Sequence, residues 1–245
     1  MNELVSTVAE NVTFVLEFLA IIAALFVAAL LLEMAAQKKR GVKAPVFTTR
    51  KVAMIGMFSA IAAILMLFEL PLPFAPTFYK LDFSELPILV GTFAYGPAAG
   101  VMMEFIKILL KLLIKGTTTV FVGDLANFVV GCSFILPASV IYVFRKNKKS
   151  AVVGCIVGTL TMTVFGTAFN AIYLLPAFSK LYGLSLDTIL QMGSAVNPLV
   201  TEGSIVSFVA ACVAPMNLLK GGVVSIITLL IYKPLSPIIK TGHKM

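Results

Sequence analysis

The 245-residue chain contains no tryptophan and one histidine, and only 12% of its residues are charged. The histidine is His243 in the C-terminal tail, so a histidine-based catalytic triad or a zinc centre is nearly excluded. Cys132, Cys155 and Cys212 lie in apolar stretches without metal-ligand spacing, which favours small buried hydrophobes. A soluble domain would be about one quarter charged, whereas 60% of this chain is hydrophobic. The composition therefore predicts a multi-pass membrane protein.

The apolar residues occur in long continuous runs rather than in short alternating segments. This pattern favours an all-α polytopic helical bundle over a membrane β-barrel. A span needs about 20 apolar residues, and a tight turn at Gly96-Pro97 is predicted to join a short third span to the fourth. The predicted spans are Phe14–Met34, Val52–Leu70, Leu86–Tyr95, Pro97–Ile114, Val120–Phe144, Ala151–Leu175 and Pro215–Tyr232.

Lysine and arginine gather on one predicted side of the membrane, which the positive-inside rule identifies as cytoplasmic. The net charge of +8 is therefore assigned to topology in a plasma membrane, and no nucleic-acid partner is expected. The C-terminus is predicted to be cytoplasmic and the N-terminus extracellular. The clusters are Lys38, Lys39, Arg40, Lys43, Arg50 and Lys51, then Arg145, Lys146, Lys148 and Lys149, then Lys233, Lys240 and Lys244.

One boundary is predicted, within residues 38–51. Residues 1–51 would form an N-terminal transmembrane helix with a basic cytoplasmic linker, and residues 52–245 the membrane core. Two long connections are predicted outside, Pro71–Glu85 and Pro176 to about Ala214. The second is expected to carry a short helix that begins at Ser185, with Asp187 in its first turn.

Polar side chains recur at one depth on three separate predicted spans. Asp124 and Asn127 lie near the start of the fifth span, and Asn170 lies near the outer end of the sixth. Asn217 and Lys220 lie near the outer start of the last, three residues apart and so on one helix face. A lysine in hydrocarbon costs roughly 2.5–3.5 kcal/mol on insertion scales. We expect these groups to hold a polar ligand in the outer half of the membrane; ordinary interhelical hydrogen bonding is the alternative.

Two outer loops border that level. The loop Pro71–Glu85 combines aromatic rings with polar groups such as Asp82, which suits a planar ligand with polar edges. Residues 116–124 form a small-residue loop in which Thr117 and Gly123 could approach a ligand through the backbone, a plain turn being the alternative. This loop lacks the ending of a phosphate-binding loop, so a nucleotide hydrolase is not expected.

Two further patterns involve whole helices. Lys107, Lys111 and Lys115 recur every four residues on the fourth span. Lys107 is predicted to pair with Glu104 as a structural ion pair rather than to contact ligand, Lys115 to extend toward water, and Lys111 is given no role.

Small residues four apart on the second span allow close helix approach, either within the bundle or with a partner protein. They are Gly56, Ser59, Ala60 and Ala63.

Three blocks of sequence together resemble the substrate-binding S-components of energy-coupling factor (ECF) vitamin transporters, specifically the riboflavin type. The resemblance runs from about Arg50 to Lys240. The blocks are Phe78-Tyr79-Lys80-Leu81-Asp82-Phe83-Ser84-Glu85-Leu86-Pro87, Phe169-Asn170-Ala171 and Ala214-Pro215-Met216-Asn217-Leu218-Leu219-Lys220-Gly221.

The resemblance implies a six-helix bundle without enzymatic activity that binds its vitamin near the outer face. Asn170, Asn217 and Lys220 would hydrogen-bond the flavin, and the loop Tyr79–Asp82, with Lys80 and Leu81, would cover it. Riboflavin would be the transported ligand, with no resident cofactor. Partners would be a transmembrane coupling protein, contacted through the small-residue motif, and two ATPase subunits. The additional first helix departs from the six-helix pattern.

Three alternatives to a riboflavin S-component remain at this point. The first is an S-component for another vitamin or heteroaromatic metabolite. The second is an integral-membrane enzyme that uses Asp124, against which stand the scarcity of histidine and the lack of a nucleophile motif. The third is a structural membrane protein whose polar residues serve only helix packing.

Overall fold

The structure of the chain is a computed structural model that describes residues 12–41, 45–117 and 119–241, with side chains up to residue 231. Lys43, His243 and Lys244 lie outside the described residues, as do the side chains of Lys233 and Lys240. The helices are α1 (Val12–Lys39), α2 (Thr49–Leu67), α3 (Glu85–Tyr95), α4 (Pro97–Lys115), α5 (Val122–Arg145), α6 (Lys148–Phe169), α7 (Leu175–Tyr182), α8 (Leu186–Ser194), α9 (Ile205–Phe208) and α10 (Ala214–Thr241). The two short strands β1 (Leu70–Pro71) and β2 (Lys80–Leu81) pair antiparallel.

The all-α membrane bundle predicted from composition is confirmed. Among the described helices, five stretches are long and apolar enough to cross a membrane: Val12–Lys39, Thr49–Leu67, Val122–Arg145, Lys148–Tyr182 and Ile205–Ile231. The short apolar α3 and the 19-residue α4 lie between them. The turn between these two helices is at Gly96, whose φ of 93° is unfavourable for any residue with a β-carbon, followed by Pro97 at the start of α4.

The predicted bounds of the last two spans were wrong. The sixth runs on to Tyr182 through a π-helical turn at Asn170–Leu174, and the last begins at Ile205, passing through a second π-helical turn at Val209–Val213. Pro176 and Pro215 marked the limits of the predicted outer connection, but each is the second residue of a helix that directly follows a π-turn. A proline is tolerated there because the missing N–H falls where the hydrogen-bond ladder is already interrupted. The predicted short helix begins as expected, with the Ser185 side chain accepting from the backbone N–H of Thr188.

The central core lies between α2, α3, α4, α5, α6 and α10. Phe93 and Tyr142, both buried, meet with ring centroids 4.7 Å apart at its centre. Helices α5 and α6 approach closely because Gly154 and Gly158 face the backbone of α5; a β-carbon at either would come within 2.6 Å of a carbonyl oxygen. These contacts fix the walls against which the outer half of the bundle is built.

Helix α1 is fastened to this core along α4 and α5. Phe18 packs on Phe128, with ring centroids 5.9 Å apart. Near the other end of α1, the buried Glu33 carboxylate accepts from Lys51 Nζ at 2.7 Å and from the backbone N–H of Ala98 at 3.1 Å. That N–H belongs to the first turn of α4, where a carboxylate also meets the positive end of the helix dipole.

The first two basic clusters, within residues 38–51 and 145–149, lie at the same end of the bundle. Arg40, just after α1, donates to the carbonyl of Val143 near the end of α5 at 3.2 Å. Lys39 lies over the ring of Phe144. The basic residues after α1 therefore adjoin those between α5 and α6.

Candidate ligand-binding site

A partly open cavity of about 140 Å³, with polar and apolar walls, lies between the loop before α3, helices α5 and α6, and α10. Each wall comes from a different part of the chain, so the cavity exists only in the folded bundle. Its lining residues are Phe78, Tyr79, Lys80, Asp82, Glu85, Gly123, Ala126, Asn127, Val130, Gly131, Met162, Asn170, Leu174, Met216, Asn217 and Lys220.

A larger basin of about 410 Å³ adjoins this cavity toward the outer ends of α2 and α4. The two spaces share the lining residues Phe78, Lys80, Asp82, Gly123 and Asn127. Typical ligand sites measure about 300–1,000 Å³. The inner cavity alone is below that range, so a vitamin-sized ligand would need the loop around Phe78 to move or would extend into the basin.

Tyr79 and Asn170 form one side of the cavity. The Tyr79 hydroxyl donates to Asn170 Oδ1 at 2.7 Å, and Asn170 Nδ2 donates to the carbonyl of Gly166 at 2.7 Å. Burial raises the pKa of Tyr79 far above its usual value, so the phenol stays neutral and keeps its proton to donate. These two bonds fix the orientation of the Asn170 amide at the first residue of the π-turn.

Asn217 projects from α10 and is only 3% exposed. Its Nδ2 atom has no hydrogen-bond partner among the described residues. The amide packs against Gly166, where an added β-carbon would come within 2.6 Å of Nδ2. A buried amide donor without a partner costs about 1–3 kcal/mol, so this group is suited to a ligand acceptor in the cavity.

Lys220 lies one helical turn after Asn217 and contacts two carboxylates. Its Nζ is 3.0 Å from Asp82 Oδ2 and 2.7 Å from Glu85 Oε2. Burial alone would raise the pKa of Asp82, but the charges of Lys220 and Lys107 outweigh that effect and hold it below its usual value. Asp82 is therefore ionised at neutral pH and ties the loop before α3 to α10.

A second buried lysine lies below this pair. Lys107 Nζ is 2.6 Å from Glu104 Oε2 and 3.2 Å from Glu85 Oε1, and it donates to Asn127 Oδ1 at 3.1 Å. The contact with Glu104 is an ion pair without hydrogen-bond geometry, since both Glu104 oxygens lack a hydrogen-bond donor. The predicted Glu104–Lys107 ion pair is thus present, but the link from Lys107 through Glu85 to Lys220 was missed.

Comparison with known proteins decides the family. Residues 50–232 match the family described as "ECF transporter, substrate-specific component".

The chain belongs to this S-component family.

Two relatives carry more specific names. The chain is 34% identical over 191 residues to "Riboflavin transporter RibU" of Staphylococcus aureus, covering 78% of this chain and 93% of the relative. It is 32% identical over 189 residues to "Riboflavin transporter FmnP" of Bacillus subtilis, covering 77% and 93%. A solved structure described as "Structure and mechanism of the S component of a bacterial ECF transporter" superposes with a TM-score of 0.60 at 36% identity, covering 78% and 98%. The family match begins at residue 50, so α1 lies outside it.

Three predicted site residues of this S-component do not line the inner cavity: Leu81, Thr117 and Asp124. Asp124 binds Lys111 Nζ at 2.7 Å and accepts from the Thr117 hydroxyl at 2.8 Å. The ion pair accounts for Lys111, to which no role was assigned from sequence. Asp124 borders only the basin, and Thr117 borders neither space.

The residues of the predicted covering loop, Tyr79–Asp82, do not all line the inner cavity. Lys80 borders both spaces, and its Nζ atom lies 2.8 Å from Glu69 Oε2. Lys115 Nζ lies 2.9 Å from the same oxygen. Leu81 is buried and lines neither space. Tyr79, Asp82, Gly123, Asn127, Asn170, Asn217 and Lys220 all line the inner cavity.

The small-residue motif of α2 presents two residues outward and two inward. Gly56 and Ala60 are exposed on the surface of the bundle. Ser59 and Ala63 are buried, and the Ser59 hydroxyl donates to the carbonyl of Ile55 at 2.7 Å. Only the first pair is accessible to a partner in this conformation, because the second packs inside the bundle.

The part of the chain that the structure describes offers no cluster of three or more potential metal ligands among its His, Cys, Asp and Glu side chains. Cys132, Cys155 and Cys212 are free and buried.

Proposed function

We propose that this chain is the riboflavin-binding S-component of an ECF-type vitamin importer, which captures the vitamin at the outer face of the membrane. The observation that carries the proposal is the convergence of Asn170, Asn217 and Lys220 on one cavity, with the Asn217 amide donor buried and unpartnered. The names of the relatives from Staphylococcus aureus and Bacillus subtilis supply the vitamin.

The chemistry of a flavin fits these groups. Its ring is flat and apolar on both faces, and one edge alternates carbonyl acceptors with an N–H donor. Asparagine amides can both donate and accept, and a lysine ammonium can donate to a carbonyl. Apolar side chains such as Met162, Leu174 and Met216 would cover the ring faces. A ligand that satisfies several buried groups at once would bind selectively, since each left unpaired costs about 1–3 kcal/mol.

The experiment is to purify the protein in mild detergent, record its absorbance spectrum and titrate it with riboflavin. A bound flavin gives a yellow protein whose spectrum survives washing. We expect Asn217→Ala and Lys220→Ala each to weaken binding at least tenfold, since losing about 1.4 kcal/mol changes affinity tenfold. Gln191→Ala and Lys180→Ala, which truncate an exposed amide and an exposed lysine, should leave affinity unchanged.

A colourless protein that does not bind added riboflavin would refute the vitamin assignment. Unchanged affinity in both cavity variants would refute the roles of Asn217 and Lys220. A second candidate, an S-component for a smaller heteroaromatic vitamin, is favoured by the 140 Å³ of the inner cavity. Competition by thiamin, a smaller heteroaromatic vitamin, against riboflavin distinguishes the two.

Transport would depend on partners. No nucleotide-binding motif is present in the sequence, which is consistent with a binding subunit energised by a coupling protein and two ATPase subunits. Gly56 and Ala60 on the exposed side of α2 are the proposed contacts with the coupling protein. The shared end of the basic clusters supports a cytoplasmic C-terminus and an extracellular N-terminus.

A further inference from the structure

Glu85 bridges two lysines that come from different helices, the buried Lys107 and the partly buried Lys220. Its Oε1 atom lies 3.2 Å from Lys107 Nζ on α4, and its Oε2 atom lies 2.7 Å from Lys220 Nζ on α10. Glu85 is 1% exposed and Lys107 is fully buried. Glu85 is also the first residue of α3, where a carboxylate is favoured by the helix dipole.

Lys220 is held by two fixed carboxylates. Asp82 and Glu85 are both buried, and Asp82 Oδ1 accepts from the backbone N–H of Ser84, the residue directly before α3. Glu85 is the nearer of the two to Lys220 Nζ, at 2.7 Å against 3.0 Å. An ammonium held in this way stays aimed at the cavity without an additional ordering cost when the ligand arrives.

Lys107 fixes the orientation of the Asn127 amide, a second polar group of the cavity. Its ammonium is a donor only, so the oxygen of the Asn127 side chain must face it, at 3.1 Å. The Asn127 Nδ2 group is then directed away from Lys107, and Asn127 lines both the inner cavity and the basin. Lys107 itself is held by Glu104 and Glu85.

We infer that Glu85 and Lys107 are positioning residues that aim the Lys220 ammonium and the Asn127 amide at the ligand. This inference rests on the proposed riboflavin-binding function. It assigns a purpose to the buried charges of α3 and α4, which would otherwise be a costly way to join two helices.

The charge balance makes the inference testable in a folded protein. The unit of Asp82, Glu85, Glu104, Lys107 and Lys220 contains three carboxylates and two ammonium groups. Replacing Glu85 with glutamine leaves two of each, with one carboxylate still beside each lysine. Glutamine also keeps the volume and the hydrogen-bonding capacity of the side chain.

The test combines affinity with the spectrum of bound riboflavin. We expect Glu85→Gln to weaken riboflavin binding about tenfold and to shift the visible absorption band of the bound flavin, because a hydrogen bond from Lys220 to a ring carbonyl is altered. In a Lys220→Gln background the same change should cost no more than about twofold, since the two residues act through one contact. Glu202→Gln, an exposed acid on the outer side, is the matched control.

Each outcome decides the inference. A Glu85→Gln protein with unchanged affinity and spectrum, or an equal loss with and without Lys220, would overturn it. If Glu85→Gln does not fold, Glu85→Asp keeps the charge but is one methylene too short to bridge both lysines. It should bind riboflavin more weakly than the unmodified protein and shift the visible band of the bound flavin, and an unchanged affinity would overturn the inference. Failure of the unmodified chain to bind riboflavin would instead remove the proposed function, and this inference with it.

Discussion

Replacing Glu33 with glutamine removes the charge that fastens α1 to the bundle. Glu33 and Lys51 are 4% and 7% exposed, and their side chains meet at 2.7 Å. Removing one partner of a buried ion pair costs about 3–5 kcal/mol because the other charge is left uncompensated. Glutamine can still accept from the N–H of Ala98, so we take the lower figure, about 3 kcal/mol. The uncompensated lysine would also lie near the positive end of α4.

This free energy predicts a large change in thermal stability. A loss of 1 kcal/mol lowers the melting temperature by roughly 2–4 °C in a protein of this size, so Glu33→Gln should lower it by roughly 6–12 °C. The chain has no tryptophan, but its three described cysteines are buried. A maleimide dye that fluoresces on reaction with thiols therefore reports unfolding.

A control variant and a compensating variant test whether the Glu33–Lys51 ion pair anchors α1. Glu17→Gln changes an exposed acid on the same helix and should have little effect. Adding Lys51→Gln to Glu33→Gln removes the unpaired charge, so it should recover part of the lost stability. If the melting temperature of Glu33→Gln is no lower than that of Glu17→Gln, the ion pair does not anchor α1.

Two further changes test the cavity walls. Gly166→Ala places a β-carbon 2.6 Å from Asn217 Nδ2. We expect about tenfold weaker riboflavin binding with little change in melting temperature. The control Gly222→Ala, with no atom within 4 Å of its new β-carbon, should bind riboflavin normally. Equal affinities would show that the Asn217 amide position is unimportant. Tyr79→Phe removes the donor to Asn170 Oδ1, and a net loss of about 1 kcal/mol predicts about fivefold weaker binding in an equilibrium titration. An affinity equal to that of the unmodified protein would contradict the orienting role of the phenol.

Local features of the fold could be predicted because they depend on neighbours in sequence. Glu104 and Lys107 are three residues apart and meet on one helix face. The turn at Gly96-Pro97 and the N-cap at Ser185 follow from backbone preferences of the residues themselves. That Asn170 and Asn217 lie in membrane helices follows from hydropathy, but their depth in those helices does not, because both stretches are longer than predicted.

Contacts between distant helices could not be predicted in the same way. Depth in the membrane places Asp124 at the level of the cavity, but it does not give the direction in which the side chain points around the helix axis. The ion pair with Lys111 holds the Asp124 carboxylate in the basin wall. Lys220 and Asp82 are 138 positions apart, and no sequence pattern links them or reveals Glu85 as the bridge. The early start of the last membrane stretch was missed because the π-turn before Pro215 has no reliable sequence signal.

The two π-helical turns confine irregular backbone to short segments of two membrane stretches. Each fits one more residue into a turn than an α-helix would, at Asn170–Leu174 and Val209–Val213. Losing one residue within the first turn would restore regular α-helix with little rotation of α7 relative to α6, because the wider turn takes up the extra residue. The ring of Phe178, edge-on to Phe78 with centroids 6.2 Å apart, would keep its place, whereas the cavity wall at Asn170 would change. A single-residue deletion there would thus alter one wall of the pocket without moving the helices on either side.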